Sequence, residues 1–147
     1  MSERAVAISL KIPDNAAYTA SVALRSLGIE VGRVERSEVW HVEDDGDVES
    51  FARRIEHNES IFNPNTHRVS VLDEPKPRAG EAWIETIGAH DEVREYLGGK
   101  KIAGITRARR YVGWRLFDVN GDPVNPDLLA IALDRLLCNP AIEKAQT

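Results

Sequence analysis

The residues able to do chemistry in this 147-residue chain are few, and their spacing limits what they can do. Histidine occurs at His41, His57, His67 and His90. No two of them stand one helical turn apart and no cysteine accompanies them, whereas a zinc site needs several converging ligands. They read as structural or surface residues, and no metal site is assigned. Cys138, the one cysteine, stands beside Leu136 and Leu137. It reads as a buried inert thiol, because a nucleophilic cysteine needs a paired base and a lowered pKa. Asp44-Asp45-Gly46-Asp47 and Asp118-Val119-Asn120-Gly121-Asp122 look superficially like calcium loops. An EF-hand needs glycine at its sixth position and glutamate at its twelfth; counted from Asp118 these are Pro123 and Leu129. Turns are the better reading. No nucleophile–base pair, glycine-rich phosphate loop or carboxylate dyad is present, so no catalytic residue and no cofactor are assigned.

One dense basic cluster remains: Lys100, Lys101, Arg107, Arg109, Arg110 and Arg115. Alternation along a strand puts Arg107, Arg109 and Arg115 on one face if no bulge intervenes. Two readings stand, a solvated strand face or a contact for an acidic partner surface or a phosphate. The acidic first half of the chain is itself a candidate for that partner. Trp40 and Trp114 fall in matching strand-like segments, and packing in a core or sheet interface is favoured over ligand stacking.

These residues need elements to position them. Val6, Ile8, Leu10 and Ile12 alternate with smaller or polar residues, which predicts a half-buried strand. Pro13-Asp14-Asn15 breaks it and offers a helix cap, Ala16 to Leu27 carry a helical apolar stripe, and Gly28 closes that helix. Residues 31–43 predict a second strand; Val34, Trp40 and Val42 share one parity and Val39 breaks it, which suggests a bulge. Val48, Phe51, Ala52, Ile55 and Phe62 predict a helix ended by Asn63-Pro64-Asn65, because the residue before a proline is pushed out of helical geometry. Val69 and Val71 suggest a short strand. Residues 73–80 form a polar linker stiffened by two prolines. The pattern then starts over: a strand at 82–87, a short helix at 89–97, and a long strand or hairpin at 102–117. Last comes a helix with Asn125 as cap, Pro126 in its first turn and Leu129, Leu133, Leu136 and Leu137 as its buried stripe. It runs into Asn139-Pro140. Leu24, Phe51, Ile55, Leu133 and Leu136 are the expected core of the helix faces.

Two diverged copies of one strand–helix–strand–helix plan are thus expected, divided as residues 1–75 and 76–147. The fold class is α/β in the sense of an α+β sandwich, with antiparallel sheets covered by helices and the two ferredoxin-like units related by a pseudo-twofold. The first 75 residues carry a net charge of −6 and the remainder +1. An acidic chain is a poor general nucleic-acid binder. No apolar run approaches the roughly 18 residues of a membrane span. The start, Met1-Ser2-Glu3-Arg4, runs straight into a strand without a secretory apolar region, and the single cysteine forms no internal disulfide; a cytoplasmic location is expected.

The string Leu136-Leu137-Cys138-Asn139-Pro140-Ala141-Ile142-Glu143 resembles the closing motif of the PurS family, the small subunit of phosphoribosylformylglycinamidine synthase in purine biosynthesis. Ile61-Phe62-Asn63-Pro64-Asn65 is a looser version in the first half, and Leu24-Arg25-Ser26-Leu27-Gly28 before the second strand is similar as well. By pattern the resemblance covers nearly the whole chain; its sharp motif spans eight residues. PurS subunits are about half this length and form dimers through their sheets, and large single-chain synthases begin with a region that looks like two fused PurS units. Where the family carries a glycine- and Asp-Pro-containing loop after its first strand, this chain has Ile12-Pro13-Asp14-Asn15 and Gly88-Ala89-His90-Asp91.

The resemblance implies a non-catalytic assembly subunit that bridges the synthetase and glutaminase subunits of a glutamine-dependent complex, with a homo-oligomer as a further expectation. On that reading Arg107, Arg109 and Arg115 bind a partner chain. The alternative is a ferredoxin-like regulatory domain that binds a small molecule in the cleft between its units. A small enzyme of unassigned substrate is the third reading.

Overall fold

A computed structural model describes residues 2–44, Arg53, Asn63, 65–86 and 105–147. The fold is α+β, with a six-stranded antiparallel sheet and helices. The strands are β1 (Ser2–Leu10), β2 (Arg33–Asp44), β3 (His67–Val71), β4 (Glu81–Thr86), β5 (Ile105–Phe117) and β6 (Glu143–Gln146). Their order is β3-β1-β2-β5-β4-β6. The described helices are α1 (Asn15–Ser26) and α2 (Pro126–Ala132), the latter continued by a π-helical turn at Leu133–Leu137. The helices expected over 48–62 and 89–97, with Phe51 and Ile55, lie outside the described residues.

The chain packs as two compact units. The first comprises Met1–Ile12, Glu38–Lys76 and Gly88–Tyr111; the second comprises Pro13–Ser37, Pro77–Ile87 and Val112–Thr147. Each therefore takes segments from both sides of the 73–80 linker, and β2 and β5 contribute one end to each unit.

In the first unit β1 lies between β2 and β3, antiparallel to both. Ala5, Val6, Ala7 and Ile8 are all buried, so β1 is covered on both faces rather than one. The expected alternation misled because alanine is small enough to serve as a second apolar face. The same holds for Val39, Trp40 and Val42 in β2, all buried. The register from Ser2↔Asp44 to Ile8↔Glu38 runs without interruption, so Val39 marks a doubly covered strand and no bulge with β1.

In the second unit α1 starts at Asp14, whose Oδ1 accepts from the backbone N–H groups of Ala16 (2.9 Å) and Ala17 (3.2 Å). Its other oxygen accepts from Arg36 Nε at 3.1 Å, which ties the helix start to β2. Gly28, at φ +82°, ends the helix, and the Ile29 N–H returns to the Leu24 carbonyl (3.0 Å). Asn125 Oδ1 accepts from the Leu128 N–H (2.8 Å), and Pro126 occupies the first turn of α2. Ala17, Ala20 and Leu24 of α1 and Leu129, Ala132 and Leu137 of the last helical segment pack with Val34, Ala82, Ile84 and Leu116 of the strands.

One core expectation is corrected. Leu136 is 41% exposed, whereas Leu137 is buried and Leu133 is half-buried. The Cys138 N–H donates to the Leu133 carbonyl five residues back (3.1 Å), so the turn is wider than an α-turn. One additional residue in the turn carries the apolar stripe on to Leu137 and rotates Leu136 outward.

The two Asn-Pro stretches form the same turn, bond for bond. The Asn63 carbonyl accepts from the N–H groups of Thr66 (3.1 Å) and His67 (2.7 Å); that of Asn139 accepts from Ile142 (3.1 Å) and Glu143 (2.7 Å). Asn63 Oδ1 accepts from the Asn65 N–H and Asn139 Oδ1 from the Ala141 N–H, at 3.0 and 3.1 Å. The Asn63 N–H donates to His67 Nδ1 and the Asn139 N–H to Glu143 Oε1, at 3.0 and 2.8 Å. Each turn leads into an edge strand, β3 or β6. Asn139 ends the last helical segment as expected; the helix expected before Asn63 lies outside the described residues.

Candidate partner-binding site

Strand β5 carries the arginines singled out in the sequence. The side chain of Arg107 lies outside the description. Arg109 belongs to the first unit and Arg115 to the second, so the structure gives these two arginines separate surroundings.

In the first unit Arg109 is exposed on β5. Its positive charge is felt by His41, whose pKa lies below the usual imidazole value, first because of burial and also because of Arg109. Glu3, 3.9 Å from His41 Nε2, acts the other way. On the other face of these strands, by their alternation, Arg110 Nε meets Glu38 Oε1 at 2.9 Å, and its guanidinium lies 6.0 Å from the centre of the Trp40 ring. Trp40 is therefore a core residue with a cation beside it. His67 serves its turn through Nδ1, and His57 and His90 lie outside the described residues.

In the second unit Arg115 is half-buried and is the cross-strand neighbour of Glu81. Its Nε donates to the Ala79 carbonyl at 3.0 Å, and its guanidinium stands 5.1 Å from the centre of the Phe117 ring. Arg33, at the start of β2, stacks on the same ring at 4.1 Å. Glu81 is 1% exposed and accepts three bonds from Arg78: backbone N–H (3.0 Å), Nε (3.1 Å) and Nη2 (2.7 Å). Burial raises its pKa, but the side-chain and backbone hydrogen bonds from Arg78 outweigh that and hold it below the usual carboxylate value. Arg115 is pushed below the usual arginine value by burial and by the nearby Arg78 charge.

Arg33, Arg78, Glu81 and Phe117 were missed in the sequence. Arg78 falls in the expected linker, and Glu81 lies between that linker and the strand expected at 82–87. The available signal was the Arg78-Ala79-Gly80-Glu81 spacing at the mouth of an apolar strand, which lets the arginine reach a carboxylate that the strand buries.

The helix side of this unit carries an open apolar groove of about 430 Å³ lined by Asn15, Ala16, Thr19, Ala20, Ala23, Trp114, Leu136 and Leu137. Cys138 is half-buried and its thiol pKa is raised by burial and by Glu143, so at neutral pH it is protonated and a poor nucleophile. The Asp118–Asp122 segment is a turn: Asp118 Oδ1 accepts from the Asn120 and Asp122 N–H groups at 2.8 and 3.1 Å. Among the described residues no three His, Cys, Asp or Glu side chains are grouped to hold a metal, and no helix is long and apolar enough to cross a membrane. No protein-family model matches this chain, and no curated protein matches it significantly.

Proposed function

We propose that this chain is a non-catalytic assembly subunit of PurS type, two copies of one strand–helix–strand–helix–strand unit in tandem. It would join the synthetase and glutaminase parts of a phosphoribosylformylglycinamidine synthase. The observation that carries the tandem reading is the Asn-Pro turn, repeated with the same four bonds at Asn63 and Asn139. The strand order supports it, since β3-β1-β2 in the first half is mirrored by β5-β4-β6 in the second. The assignment to PurS rests on the Leu136–Glu143 string. Arg109 and Arg115, on separate units, would each meet acidic residues of a partner at the polar rim of an interface.

Co-purification with separately expressed synthetase and glutaminase tests this. A stoichiometric complex that makes glutamine-dependent product, with no glutaminase or ATPase activity from the chain alone, is the expected result. Failure to bind either subunit would remove the assignment.

The groove beside α1 favours a second reading, a regulatory domain that takes a small molecule. Its volume falls in the range of roughly 300–1,000 Å³ typical of ligand sites. Thermal shift with purine nucleotides and amino acids separates the two, because a sensor is stabilised by its ligand and a scaffold is not.

A further inference from the structure

Three guanidinium groups and two carboxylates meet on one surface of the second unit, and their charges do not cancel. Glu81 is fully engaged by Arg78. Arg33 Nε approaches Glu35 Oε2 at only 3.4 Å, with the two side chains 58% and 51% exposed. Such a pair is weak and easily exchanged. Arg115 has no carboxylate within ion-pair distance among the described residues. Its Nε is anchored on the Ala79 carbonyl, and its terminal amino groups meet no acceptor among the described residues. Arg33 and Arg115 nevertheless lie within about 5 Å of the centre of one ring, Phe117, which is itself 7% exposed. A ring attracts a cation over its face without neutralising it, so Phe117 steadies each of the two guanidinium groups.

We propose that Arg33 and Arg115, steadied on Phe117, form a binding site for a phosphate group. A guanidinium presents N–H groups in a fork that matches phosphate oxygens, and two forks can share the three terminal oxygens of one dianion. Arg115 feels the charges of Arg78 and Arg33 against those of Glu81 and Glu35, and an arriving dianion supplies the negative charge that three cations and two carboxylates lack. A carboxylate does not meet the same need. Glu35 already supplies one, and it sits at Arg33 without forming an ion pair with Arg115. This inference does not depend on the assembly reading.

The phosphate can be free or the end of an organic ester, and two probes tell these sources apart. Inorganic phosphate and glycerol 3-phosphate are titrated at constant ionic strength, with the Arg Nε–H resonances followed by NMR. Saturable shifts at Arg33 and Arg115 are expected, and the tighter probe identifies the source. Arg115→Gln should weaken binding about tenfold or more, the loss that follows from one charge-assisted bond. Arg33→Gln, on an exposed side chain that leaves the fold intact, should do likewise, Arg115→Lys should restore only part of the affinity, and Arg135→Gln elsewhere should change nothing. Non-saturating shifts reproduced by chloride, or unaltered binding in Arg33→Gln with an unchanged circular-dichroism spectrum, would overturn the proposal.

Discussion

At Glu81 a buried carboxylate is held ionised chiefly by Arg78, and this has a sign that can be checked. Because its folded pKa lies below its unfolded value, Glu81 contributes stability above the unfolded value of about 4.3. That contribution is lost as pH falls through the lower, folded value. Glu81→Gln should cost about 3 kcal/mol near pH 7, since removing one partner of a buried pair strands the other. It should also flatten the acid limb of the stability–pH curve measured by urea melts; an unaltered limb would assign that limb to other carboxylates. Leucine truncations test the core in the same way. Leu24→Ala, at a site with no exposure, should cost roughly 2–5 kcal/mol. Leu136→Ala, at an exposed site, should cost under about 1 kcal/mol. Sequence periodicity identified Leu24 because α1 is regular, and it misplaced Leu136 because no pattern of residue types announces a π-turn. Of the two arginines proposed to hold a phosphate, Arg115 stood out in the basic cluster and Arg33 did not. Arg33 and Arg115 are 82 positions apart in the chain and meet only through strand packing.

Element boundaries were legible wherever a terminus needs a particular residue: Asp14 and Asn125 as caps, Gly28 as a stop, Asn139 before its proline. Doubly covered strands were less legible, since burial of the second face depends on what packs there and not on local alternation. The two Asn turns give an element-scale prediction. Asn63→Ala and Asn139→Ala each delete a side-chain acceptor for a backbone N–H, so each should lower stability by about 1 kcal/mol. Near-equal losses in denaturant melts would mean the turns are energetically as well as geometrically alike. Gly32 gives another. A Cβ there would collide with the carbonyl of Asp118, and the Gly32 N–H is bonded to the Phe117 carbonyl at 2.8 Å. Gly32→Ala must push β2 away from the end of β5, with an expected loss of roughly 1–3 kcal/mol.

For the molecule as a whole, the linker at 73–80 is a sequence boundary, while each compact unit needs segments from both sides of it. A fragment of residues 1–75, studied at concentrations where sedimentation shows a monomer, should therefore lack a cooperative thermal transition. Mixing it with residues 76–147 should restore one, followed by circular dichroism. A sharp melt of either fragment alone would show that its own half suffices for a core. The linker was legible because prolines and charges mark it. The sharing of segments was not, because pairings between distant strands leave no mark in either strand's own composition.

A π-turn is the footprint that a one-residue insertion leaves in an α-helix. Shortening the chain by deleting Asp134, an exposed residue within the turn, would bring Leu137 seven positions after Leu129, which is where a regular α-helix presents the same face. The shortened chain is expected to keep its leucine in the core and exchange the wide turn for ordinary helical hydrogen bonds. It would lose the bulge that turns Leu136 toward the groove beside α1. If the groove binds something, the shorter variant should be the one that folds well and binds poorly.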